Sequence, residues 1–110
     1  MITVTVTESG RSLSLRLEGH AGFAEEGQDI VCASASILAY TVAVLVLEAD
    51  IRGELEAPAL VRLESGDTVI SCEATKDAFS SIQRAFFFAT RGFMLLGQNY
   101  PQYVRLLAYT

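Results

Sequence analysis

Eighteen consecutive residues without a formal charge, Ile30 to Leu47, dictate most of what this chain can become. An apolar run of that length must be buried, in protein or in lipid. It sits at the short limit for a bilayer span, contains Ser34, Ser36, Tyr40 and Thr41, and is flanked by Asp29 and Glu48 rather than by Lys or Arg. Strand patterns lie on both sides of it, so it is expected to be a buried helix, roughly Ile30 to Ala49, with no membrane involved. A helix that is apolar on nearly every face needs cover from two sides. A sheet supplies one cover, and a second layer or a partner subunit must supply the other.

Strands surround it. Ile2, Val4 and Val6 alternate with Thr3, Thr5 and Thr7, and Leu13, Leu15 and Leu17 alternate with Ser12, Ser14, Arg16 and Glu18. The short turn Glu8-Ser9-Gly10-Arg11 between them predicts an antiparallel hairpin. Leu55, Ala57, Ala59, Val61 and Leu63 predict another strand, with Pro58 marking an edge or an irregular start. Ser65-Gly66-Asp67 turns it into a partner over Thr68 to Ala74. After Lys76-Asp77, apolar residues recur at Phe79, Ile82, Phe86, Ala89, Phe93 and Leu96, one buried helical stripe that Gly97 and Pro101 are expected to end. Val104 to Tyr109 is a last strand. The order ββαββαβ, over 110 residues that are 51% hydrophobic, is that of a single α+β domain spanning residues 1–110, a mainly antiparallel sheet packed with two helices.

The charge excludes some functions. A formal net charge of -5, from 13 acids and 8 bases, argues against a surface for nucleic acid but leaves room for a basic peptide. Met1 to Thr5 has neither the basic nor the apolar region of a secretion signal, so a cytoplasmic chain with both cysteines reduced is expected. One histidine and two separated cysteines are too few for a closed zinc site, and no metal or cofactor is expected.

The helix start is where chemistry gathers. Gly19-His20 ends the second strand and carries the only histidine, while Cys32 falls in the helix's first turn behind Asp29, a natural N-cap. Gly22 and Gly27 bracket Phe23-Ala24-Glu25-Glu26 as a mobile loop, its acids a solvated tip or a contact for a basic substrate. A thiol attacks as its thiolate. A helix terminus favours nearby negative charge by only about 0.3–1 kcal/mol at an exposed site. His20 is the residue that adds an imidazolium and serves as general base or acid, and the first-turn amides are candidate oxyanion donors. Asp29 is a helix cap first and a candidate orienter of His20 second, and Ser36, one turn beyond Cys32, reads as helix packing or as a hydrogen bond within the site. Residue types and spacing alone equally allow Cys32 to be a buried core thiol, and Cys72, inside a strand, reads as structural.

Gly19, His20, Ala21, Gly27, Asp29, Ile30, Val31, Cys32, Ala33 and Ser36 together resemble the signature of the ribosomal-processing cysteine protease family, Prp or YsxB-like. That resemblance implies a homodimeric endopeptidase that removes an N-terminal extension from the precursor of a large-subunit ribosomal protein, number twenty-seven in the standard naming. It implies Cys32 as nucleophile, His20 as its partner, and a loop between them that orders around substrate. The competing function is a non-catalytic ribosome-assembly or peptide-binding module using the same loop. With the loop open, His20 and Cys32 are expected to lie too far apart to bond, or the loop to be disordered.

Overall fold

The alternating threonines and aliphatics at the start of the chain do form a strand, and its apolar side seeds the core. In the computed structural model, which describes residues 1–109, β1 (Ile2–Ser9) and β2 (Ser12–Glu18) make the first hairpin, with Val4 opposite Leu17 and Val6 opposite Leu15. The long apolar run is α1 (Ile30–Ile51). A second hairpin, β3 (Leu60–Glu64) and β4 (Asp67–Glu73), precedes α2 (Phe79–Asn99) and the final β5 (Val104–Tyr109). The five strands form one sheet ordered β3-β4-β2-β1-β5. Every neighbouring pair is antiparallel except β1 with β5, which run parallel with Ile2 beside Val104.

Both helices bear on the sheet face carrying Ile2, Val4, Leu13, Leu15, Ile70 and Val104, all buried. From α1 come Val31, Ala35, Ala39, Val42, Ala43, Val46 and Ala49. From α2 comes the predicted stripe, with Ile82, Phe86, Ala89, Phe93 and Leu96 buried and Phe79 at its margin. Small residues bring the helices together. A Cβ on Gly92 would stand 2.8 Å from both Leu38 methyl carbons, so the α2 backbone leaves room for the α1 side chain. Phe86 and Phe93 are almost sealed, and truncating either to Ala costs about 3–5 kcal/mol.

Cover for α1 is therefore the sheet below and α2 at one flank. By length and apolarity this helix passes for a membrane span, and its outward side leaves Ile37, Tyr40, Val44, Leu47 and Ile51 exposed.

Several boundaries differ from those predicted. β3 is five residues long instead of starting near Glu54, because Pro58 cannot donate to a ladder and Leu55 makes only an isolated bridge to Ala74. Lys76 and Asp77 precede α2 in a turn in which the Thr75 carbonyl accepts from the Ala78 and Phe79 amides. Gly97 stays inside α2, which ends at Asn99. α1 runs two residues past Ala49.

Candidate active site

Gly19 takes φ +91°, and a Cβ there would lie 2.5 Å from the Met1 carbonyl oxygen, so only glycine lets β2 end beside the start of β1. The chain then presents His20 at the surface, off the leucine face, as strand parity requires. Its ring rests on the β3–β4 turn: a Cβ on Gly66 would come within 2.7 Å of His20 Nε2. The Gly19 amide bonds the Gly66 carbonyl at 2.9 Å, which fixes this turn beside the strand end.

Cys32 is half-buried in the first turn of α1. Its sulfur accepts the Ala21 backbone N–H at 3.4 Å. Among the described residues no hydrogen bond joins His20 to Cys32, as expected for an unengaged pair. The loop folds back onto the start of α1, its Phe23 and Ala24 amides reaching Asp29.

Asp29 explains that path. Its Oδ1 accepts from the Val31 and Cys32 amides at 3.0 and 2.9 Å, capping α1, and its Oδ2 accepts from the Phe23 and Ala24 amides at 3.0 and 3.4 Å. Slight desolvation pushes this carboxyl upward. The backbone bonds from Cys32, Ala24 and Phe23, with a further one from the Cys32 side chain, outweigh it and hold the acid below its usual range. Two expectations change as a result. The Val31 and Cys32 amides are committed to Asp29 and do not stand ready as oxyanion donors. Asp29 ties the loop to the helix and makes no hydrogen bond to His20.

Gly19, His20, Gly22, Gly27, Asp29, Cys32 and Ser36 all line one cleft of about 700 Å³. Among the described residues Ser36 makes no side-chain hydrogen bond there. Sequence patterning missed Gly66 and Tyr40, which line the same cleft, as do Glu64 and Asp67 at its rim. It also missed Tyr100 and Tyr103, whose rings receive Phe23 edge-on at 5.6 and 5.2 Å between centroids. A lone Phe in a polar loop was the available signal. Among the described residues no group of three or more His, Cys, Asp or Glu side chains is gathered to hold a metal ion. Cys72 is a separate matter: buried in β4, its thiol is pushed up to about 11.

What the cleft offers is a thiol with a backbone donor on its sulfur and a base at the same opening, the elements of nucleophilic acyl transfer. Comparison with known proteins points the same way. The family model described as cysteine protease Prp matches residues 1–105. The ribosomal processing protease Prp from S. aureus with a covalently linked product peptide is similar at TM-score 0.71 and 24% identity, over 98% of this chain and 99% of that one. The same S. aureus protease with a substrate peptide gives TM-score 0.63 and 22% identity over the same shares. SMU.848 from Streptococcus mutans gives TM-score 0.68 and 26% identity, over 100% of this chain and 95% of that one. No curated protein sequence matches the chain.

Proposed function

The chain belongs to the cysteine protease Prp family, and from that premise we propose that it is a cytoplasmic cysteine endopeptidase that removes the N-terminal extension of large-subunit ribosomal protein twenty-seven. The observation that carries the proposal is that His20 and Cys32 line one cleft, with the Ala21 amide already on the sulfur. In the S. aureus relatives a substrate peptide and a product peptide are bound.

In the proposed reaction His20 leaves its rest on Gly66 and takes the Cys32 proton. The thiolate then attacks the scissile carbonyl carbon. Collapse of the tetrahedral intermediate breaks the C–N bond, His20 returns the proton to the departing amine, and water hydrolyses the thioester. Since His20 is exposed, its swing costs little packing. The ring and the sulfur must come within hydrogen-bond reach once substrate occupies the cleft.

We read the protein as a homodimer on the strength of α1's outward side. Ile37, Val44 and Ile51 expose 63%, 55% and 86% of their surface, and no charge interrupts α1 between Asp29 and Glu48. A second copy covering that strip supplies the remaining cover that the helix needs.

Incubation of the precursor with wild type and with Cys32→Ala tests the activity. Cleavage by wild type alone is expected. If Cys32→Ala still cleaves, the nucleophile assignment fails. If wild type leaves the precursor intact, the reading as a ribosome-assembly or peptide-binding module gains.

A further inference from the structure

The loop between His20 and Cys32 divides into a fixed base and a free tip. The base is held at four points: the Ala21 amide on the Cys32 sulfur, the Phe23 and Ala24 amides on Asp29, and the Phe23 ring on Tyr100 and Tyr103. Interplanar angles of 85° and 80° are those of favourable edge-to-face pairs. The tip, Glu25 to Gln28, is exposed throughout and, among the described residues, carries only the turn bond from the Gln28 amide to the Glu25 carbonyl.

The seat for Phe23 is rigid. Tyr100 bonds the Leu96 carbonyl through its amide at 2.8 Å, Tyr103 bonds the Tyr100 carbonyl at 2.9 Å, and the Tyr103 carbonyl accepts the Ile2 amide at 2.8 Å. The α2–β5 connector is thereby tied to α2 on one side and to β1 on the other. Both tyrosines pack against the core. A loop residue that docks there inherits that stiffness, and Ala21, two positions before Phe23, is itself buried at 3% exposure.

We propose that Tyr100 and Tyr103 are positioning residues of the active site, clasping Phe23 so that the Ala21 N–H stays on the Cys32 sulfur while only the loop tip moves for substrate. The catalytic part of this inference rests on the proteolytic function proposed above, whereas the clasp itself does not. Neither tyrosine touches the reacting atoms, and their influence passes through the Phe23 ring and two peptide units.

Phe23 is the residue to change first, since it lies in an exposed loop and its loss leaves the core intact. In Phe23→Ala the Ala21, Phe23 and Ala24 amides are expected to exchange with solvent about tenfold faster or more, the order expected for losing two aromatic pairs. The kcat for precursor peptide is expected to fall by a similar factor with a smaller change in KM. Phe23→Tyr, Tyr100→Phe and Tyr103→Phe are each expected to keep wild-type exchange and kcat, because the rings and not the hydroxyls make the clasp. Wild-type exchange rates in Phe23→Ala overturn the clasp, and an unchanged kcat overturns its role in catalysis. Tyr→Phe variants that behave like Phe23→Ala also overturn it. If no form cleaves the peptide, the proteolytic function fails and amide exchange alone decides the clasp.

Discussion

His20 rests on Gly66, its Nε2 so close that a single added methyl on that glycine would stand 2.7 Å away. The turn between β3 and β4 is thus the cradle of the candidate base, although Gly66 lies 46 positions after His20 in the chain. Gly66→Ala strains a backbone at φ +74° and evicts the ring at the same time. Folding stability is expected to drop by about 1 kcal/mol. Peptide cleavage is expected to change by more than that loss explains, measured as kcat/KM at a temperature where the variant is fully folded. Wild-type kcat/KM would show that His20's resting position is irrelevant to turnover.

The two cysteines are expected to label unequally. Burial keeps the Cys72 thiol near 11, so at pH 8 about one molecule in a thousand carries its thiolate. Mass spectrometry after brief iodoacetamide treatment is expected to find the label on Cys32 alone. His20→Ala is expected to slow that labelling, and equal rates in the two forms would remove the dyad.

Cys72 also sets an alkaline limit. Its folded value is raised above the unfolded 9.0, so the folded chain holds this proton more tightly and stability falls as pH climbs from 9.0 to about 11. Urea midpoints followed across that range are expected to decline less in Cys72→Ala than in wild type. Parallel declines would mean that other groups carry the alkaline loss.

Asp29 acts in the opposite sense. Its carboxyl is depressed in the fold, so its contribution is present above 3.8 and drains away as pH falls through its folded value. Asp29→Ala removes a cap and is expected to cost about 1 kcal/mol at neutral pH, or a melting temperature lower by roughly 4–8 °C. The same substitution is expected to free the Phe23 and Ala24 amides for exchange. A melting temperature within a degree of wild type would contradict the double tether.

For the dimer, light scattering at micromolar concentration is expected to give twice the 11.9 kDa chain mass for wild type and the single mass for Val44→Glu. A stable interface buries about 800 Å² per partner, and a charge at its centre is not tolerated. A wild-type monomer would end the claim.

Much of this molecule was legible in its residues, for identifiable reasons. The two-residue alternation of β1 and β2 and the stripe through Phe86 and Phe93 survive in the fold because a buried face imposes its period directly on sequence. Element order followed, whereas the placing of His20 and Cys32 at one opening leaned on the resemblance to the Prp signature, since spacing alone left Cys32 equally open to a core role. What escaped was pairing at a distance. That Gly66 cradles His20, that β5 lies parallel to β1, and that Tyr100 and Tyr103 seat Phe23 are relations between segments that carry no mutual mark in the chain. The commitment of the first-turn amides to Asp29 was hidden for a different reason: an N-cap motif reveals a carboxylate but not how completely it occupies its donors.

The parallel pairing of β1 with β5 turns the layout into a matter of timing. Ile2 meets Val104, and Phe23 its tyrosines, only across most of the folded domain's sequence. Such distant pairings close late, because loop entropy must be overcome before they are rewarded. Cys32 and the ring seat for its loop lie far apart in sequence and are brought together by those late pairings. A chain in which those pairings have yet to close would therefore hold a cysteine and a histidine without the frame that aligns them.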